Sequence, residues 1–312
     1  MLHDSKFMYD LVIVGGGPGG VAAGVYAARK KIKSALVTDG FGGQSLVSAD
    51  IQNWVGTKSV SGLDLAKMLE EHLRAQEGIE IIYPDRVEKI VKTGVGFQLT
   101  LQTGKTLEAK TVLLASGSRH RKLNVPGEER LDGRGVAYCS TCDAPLFSKK
   151  DVAVVGGGNA GLEAALDLLP YATKIYILEY SDKIKGDPIT LEKVLDSGKA
   201  EVVLRAKTLE ILGEKFVGGL KYEDAASGQV KELKLGGVFV EIGAIPNSEF
   251  VKDLVNLNKY GEVIVDHKTQ QASFSGIWAV GDVSDVLYKQ NNISAGDAVK
   301  AVLNIYEYLN KN

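Results

Sequence analysis

Asp10-Leu11-Val12-Ile13-Val14-Gly15-Gly16-Gly17-Pro18-Gly19-Gly20 is the stretch from which the rest of the chain can be read. Residues 10–14 are a short apolar run, as in a buried parallel strand. The run feeds directly into GxGxxG, met by Gly15, Gly17 and Gly20. An alanine-rich helix follows over about 20–30, then a second apolar strand over 34–38 that ends at Asp39, 19 residues beyond Gly20. The glycines let the backbone turn tightly and approach a pyrophosphate resting on the helix N-terminus, and the acid can accept hydrogen bonds from an adenosine ribose. GxGxxG alone is weak, and a structural glycine turn is the alternative. The strand before it, the helix after it and the spaced acid point instead to a dinucleotide.

The same plan recurs downstream. Residues 151–155 are an apolar strand, Gly156, Gly158 and Gly161 make a second GxGxxG that includes Asn159, a helix runs over 159–169, and a strand over 174–178 ends at Glu179, 18 residues beyond Gly161. Each copy continues into strand-like segments. In the first these span 79–114 with hairpin turns at Thr93-Gly94 and Thr103-Gly104, after a helical pattern over 62–76; in the second they are hairpins over 200–235 and a closing strand over 238–242. The tail adds an apolar strand over 276–280 leading into Gly281-Asp282, and a helix over 294–309, too little for a third domain. The predicted fold is α/β, with two Rossmann-like dinucleotide-binding domains. The second, 118–245, is inserted into the first, 1–117 and 246–312. Glycine at both crossings, Gly117 and Gly243, is compatible with hinging, and simple turn geometry is the alternative.

Only two cysteines occur in 312 residues, Cys139 and Cys142, and Asp143 follows at once. A CxxC pair can close a disulfide that opens at biological potentials, and the acid can pass a proton to or from a thiolate. A zinc site would need further ligands, and His3, His72, His120 and His267 are scattered without pairing. A purely structural bridge over so short a loop removes little chain entropy. The redox reading leads, and no metal is expected.

Composition narrows the setting. Hydrophobic residues are 45%, charged residues 24% and net charge −2, which argues against a nucleic-acid partner. The start, MLHDSKFMYD, lacks the apolar core of a signal peptide, and no apolar run reaches membrane-spanning length. A cytoplasmic protein is expected, with no membrane partner.

Taken together, GGGPGG at 15–20, GGQ at 42–44, Asn53 in QNW, YCSTCD at 138–143, GGGNAG at 156–161, GVFVEIGAIPN at 237–247 and AVGDV at 279–283 followed by Lys289-Gln290 resemble the low-molecular-weight thioredoxin reductases. They are similar also to the C-terminal part of the alkyl hydroperoxide reductase flavoprotein subunit. The resemblance spans essentially the whole chain. It implies FAD on the first domain, with its pyrophosphate at Gly15, Gly17, Pro18 and Gly20 and its ribose at Asp39. Gly43, Gln44 and Asn53 would approach the flavin ring, Gly281 and Asp282 the ribityl-phosphate region, and Gln290 and Asn291 the ring from the last helix. The second domain would hold the nicotinamide nucleotide. Cys142 would face the flavin, Cys139 would attack the partner's disulfide, and Asp143 would shuttle the proton. A homodimer is implied.

Departures refine this. NADPH-dependent members carry a basic run after the strand of the second domain; here Glu179-Tyr180-Ser181-Asp182-Lys183-Ile184-Lys185 stands there, so NADH is expected over NADPH. Ser116 replaces a usual threonine, and Ala144-Pro145 follows the redox motif. With no thioredoxin-like domain in front, the electrons are expected to leave to a separate thioredoxin, glutaredoxin-like or other thioredoxin-fold protein. The competing readings are a ferredoxin-driven reductase, a flavin dithiol oxidase and a non-enzymatic redox-sensing flavoprotein.

Overall fold

A computed structural model describes residues 8–48 and 51–311. His3 and most of the opening segment read above lie outside the described residues. The chain divides into two compact units: Met1–Leu46, Trp54–Arg119 and Ile245–Asn312 form the first, Val47–Asn53 and His120–Ala244 the second.

The first unit is built on a nine-stranded sheet. Its parallel part runs, in spatial order, Ile79–Ile82, Ser34–Phe41, Met8–Gly16, Thr106–Leu114 and Ile277–Ala279. Register places Val12 beside Ala35 on one side and Val112 on the other, and Leu113 beside Trp278. Leu11, Val12 and Ile13 are fully buried, as a strand covered on both faces requires. Each such side chain contributes about 1.5–3 kcal/mol on leaving water. The hairpin turns at Thr93-Gly94 and Thr103-Gly104 join Val87–Lys92, Phe97–Leu101 and Thr106–Leu114 in antiparallel pairs. Helices Pro18–Arg29 and Asn291–Lys311 pack against each other over one face, around Trp278 and Ile305. The last helix begins three residues before the expected 294, because Asn291 to Ile293 already hold helical geometry.

In the second unit the parallel sheet has the order Ala200–Val203, Lys174–Leu178, Asp151–Val155, Gly237–Val240 and Val136–Ala137. Three antiparallel strands, Ala206–Gly213, Val217–Asp224 and Gln229–Lys234, form a separate sheet. Residues 200–203 therefore do not belong to the hairpins, as the pattern suggested: they pair parallel to 174–178. A short apolar strand carries no mark of its partner's direction, so this pairing is settled by long-range contacts. The helix Pro188–Asp196 was not anticipated. Its signal is local: Asp187 Oδ2 accepts from the Thr190 amide at 2.9 Å and Pro188 takes the first turn.

Among the described residues, no helix is long and apolar enough to cross a membrane, and no group of three or more His, Cys, Asp or Glu could hold a metal ion.

Candidate active site

The two glycine turns are built alike. Gly15 has φ +117° and Gly156 φ +124°, a region closed to most side chains. A Cβ on Gly15 would overlap the Ala115 carbonyl and one on Gly20 the Gly15 carbonyl; Gly156 and Gly161 repeat this against Glu241 and Gly156. The outer glycines thus let strand, turn and helix close on one another. The middle ones serve something else. Among the described residues, the nearest atom to a Cβ on Gly17 is the Gly43 Cα at 4.0 Å, and nothing lies within 4 Å of one on Gly158. Helices Pro18–Arg29 and Asn159–Leu168 start at these residues with no side-chain cap and no acid in the first turn. The backbone amides in the first turn of a helix have no partner within the helix, which suits a pyrophosphate. Both turns therefore fit a dinucleotide.

Around the first turn the structure brings together Gly17, Gly43, Gln44 and Asp282. Gln44 Nε2 donates to Asp282 Oδ2 and to Ser118 Oγ, each at 3.1 Å. Among the described residues its buried Oε1 has no partner, so one acceptor is left over in this corner. Burial pushes the Asp282 carboxyl up, against the pull of Lys289, Ser118 and Gln44. Lys289 Nζ donates to the Ser284 carbonyl at 2.6 Å and pairs with Glu262 at 2.9 Å. Asn291 Nδ2 donates to Ser45 Oγ at 2.8 Å, and Gln290 accepts the Ser294 amide through its carbonyl. Gly281 has φ +67° and a Cβ there would crowd Ser294. Asp39 lies near the end of Ser34–Phe41, and its carboxylate pairs with Arg86, which sequence reading did not single out. Asn53 belongs to Val47–Asn53, the segment grouped with the second unit.

At the second turn Glu179 uses both carboxylate oxygens. Oε2 accepts from the Gly157 amide at 2.8 Å, and Oε1 accepts from the Ser181 amide at 2.8 Å and from the Ser181 hydroxyl. Burial pushes this carboxyl up, but these bonds and Lys185 outweigh it and hold it below its ordinary range. Asn159 Oδ1 accepts from the Asp187 amide at 2.8 Å, tying the start of one helix to the cap of the next.

Cys139 and Cys142 are joined by a disulfide, with Cα atoms 5.3 Å apart. Cys139 caps the four-residue helix Ser140–Asp143, and the Asp143 amide donates to its carbonyl at 3.0 Å. Burial pushes the Asp143 carboxyl up to about 6, within reach of proton exchange near neutrality. Ser140 Oγ and Thr141 Oγ1 both donate to Asp167 Oδ2, at 2.9 and 3.2 Å. Glu241, leaving the closing strand, is pushed up to about 8 by burial first and then by Asp167 and Glu163. Tyr138, just before the pair, donates to Glu128 Oε1 at 3.0 Å and stacks on His120 at 5.2 Å. Asp167, Glu241 and Glu128 were missed from sequence. Only Glu241 left a signal, as a charge at the exit of an apolar strand.

The chain is 40% identical over 309 residues to an alkyl hydroperoxide reductase subunit of Staphylococcus aureus, covering 99% of this chain and 61% of that one. It is 41% identical over 307 residues to a NADH dehydrogenase of Bacillus subtilis, covering 98% and 60%. It thus spans about three fifths of the length of these curated relatives. The crystal structure of thioredoxin reductase from Streptococcus pyogenes superposes with TM-score 0.90 at 34% identity, covering 99% of this chain and all of that one. The family described as pyridine nucleotide-disulphide oxidoreductase matches residues 9–300. With two glycine turns and one closed CxxC pair in that frame, the chain belongs to the pyridine nucleotide-disulphide oxidoreductase family.

Proposed function

We propose that this chain is an FAD-dependent disulfide reductase that takes electrons from NADH and delivers them through Cys139–Cys142 to thioredoxin, a glutaredoxin-like protein or another thioredoxin-fold protein. The observation that carries the reading is the closed Cys139–Cys142 bond at the mouth of a short helix, next to a carboxyl that burial pushes up to about 6. FAD, when bound, supplies the two-electron exchange between nicotinamide and disulfide. Residues 1–117 and 246–312 would hold it, with Gly15, Gly17, Pro18 and Gly20 for the pyrophosphate, Asp39 for the ribose, and Gly43, Gln44, Asn53, Gly281, Asp282, Gln290 and Asn291 for the flavin. Residues 118–245, which carry the redox pair, would hold NADH at Gly156, Gly158, Asn159, Gly161 and Glu179.

In the second half of the cycle the Cys139 thiolate attacks the partner's disulfide and releases one partner thiol. Cys142 then attacks Cys139 in the mixed disulfide, reforming the Cys139–Cys142 bond and releasing the second partner thiol. Asp143 shuttles the proton of the Cys139 thiol. The carboxylate at Glu179 supports NADH rather than NADPH, as does the similarity to a protein named NADH dehydrogenase. A homodimer in a reducing cytoplasm completes the reading.

The test is anaerobic mixing of the holoprotein with NADH, NADPH or reduced ferredoxin in parallel, with new thiols counted by alkylation. Two thiols per chain with NADH are expected. Thiols produced by ferredoxin alone would transfer the chain to the ferredoxin-driven reading.

A further inference from the structure

The two residues between the cysteines are not merely spacers. Ser140 Oγ and Thr141 Oγ1 converge on a single oxygen, Asp167 Oδ2, at 2.9 and 3.2 Å. Asp167 lies in the last turn of helix Asn159–Leu168, which packs against the redox helix Ser140–Asp143. That redox helix has only four residues, and Cys139 caps it without a side-chain bond of its own. So short a helix does not hold its shape alone. While the disulfide is closed, the bond fixes the spacing of the two cysteines. Once it opens, the backbone turn and the grip on Ser140 and Thr141 are what keep the sulfurs near each other.

We propose that Asp167 is a positioning residue for the redox pair, its carboxylate clamping the Ser140-Thr141 dipeptide and so setting the equilibrium between dithiol and disulfide. The inference rests on the redox reading above. The sign follows from preorganisation. The closed form holds both hydroxyls in place, so the clamp forms there at little cost in entropy; in the open form it must order a looser turn. Loss of the clamp therefore destabilises the disulfide more than the dithiol.

The holoprotein is equilibrated anaerobically in glutathione buffers of graded ratio and quenched by mass-shifting alkylation. In this exchange two glutathione thiols become glutathione disulfide as Cys139–Cys142 takes up two electrons and two protons. Asp167→Leu and the double variant Ser140→Ala/Thr141→Val are each expected to shift the equilibrium towards the dithiol by about fivefold, equivalent to about 20 mV. Asp167→Asn retains an acceptor oxygen and should remain within about twofold of the unaltered protein. Asp167 and Thr141 are exposed, and the double variant tests the clamp from its other side should Asp167→Leu fold poorly. An unchanged equilibrium in both variants, or an Asp167→Asn shift equal to that of Asp167→Leu, would overturn the clamp. Failure of the unaltered pair to exchange with glutathione at all would instead overturn the redox reading, and this inference with it.

Discussion

Glu179→Gln separates two tasks that the structure loads onto one side chain. The carboxylate accepts backbone amides from Gly157 and Ser181 on different oxygens. Glutamine has only one acceptor oxygen, so one of these amides loses its partner, which costs about 1–3 kcal/mol. A fall in Tm of roughly 3–8 °C is expected for a unit of this size. The second task is electrostatic. A 2′-phosphate brings nearly two negative charges, and unit charges about 4 Å apart repel by about 4 kcal/mol at an effective dielectric near 20. Glu179 is only half-buried and Lys185 lies near it, so about a third of that is retained, roughly 1.4 kcal/mol or tenfold. The unaltered protein should favour NADH by about tenfold or more in kcat/KM, and Glu179→Gln should bring the ratio close to one. Steady-state kinetics with both coenzymes and thermal melts on the same preparations read the two effects separately. Acid adds a check of sign. Because Glu179 is held below its ordinary value of 4.5, its stabilisation is complete above that value and is lost as pH falls through the lower folded one, so the gap in Tm should close in acid. Equal use of both coenzymes by the unaltered protein, or an unchanged ratio in the variant, would refute the electrostatic reasoning.

Three further predictions concern the other parts of the site. Cys142→Ser should trap a stable mixed disulfide between Cys139 and a thioredoxin-fold partner, while Cys139→Ser should trap none; the reverse on non-reducing gels would exchange the two roles. Burial pushes the Asp143 carboxyl up to about 6, so the pH profile of partner reduction should show an inflection near 6 that Asp143→Asn lacks, with turnover down about a hundredfold or more. The same shift makes the half-buried acid favourable to folding below its ordinary value of 3.8 and progressively less so as pH rises through about 6, so Asp143→Asn should gain Tm relative to the unaltered protein between pH 4 and 7. Gly17→Ala should fold normally, because a Cβ there meets nothing closer than 4.0 Å, yet retain at least tenfold less flavin in dialysis. Gly20→Ala, which drives a Cβ into the Gly15 carbonyl, should instead lose Tm. Similar flavin retention and melting in both glycine variants would remove the distinction between the two kinds of glycine.

What the sequence determined by itself is the repeated frame. Apolar runs entering glycine turns at 10–20 and 151–161, with acids 19 and 18 residues on, are local signals, because strand, turn and helix there are consecutive and each needs its own residue type. The CxxC-Asp was legible for the same reason. What the tertiary structure decided lies in pairings across long separations. The parallel pairing of 200–203 with 174–178 depends on a neighbour that a short apolar run does not name. Arg86 on Asp39, Gln44 on Asp282, and Ser140 and Thr141 on Asp167 join residues 26 to 238 positions apart. A lone acid on a helix, such as Asp167, reads in sequence as ordinary solvated surface. Only the packing of helix Asn159–Leu168 against the redox helix turns it towards the two hydroxyls, since a hydrogen bond requires its partners within about 3 Å whatever their separation along the chain.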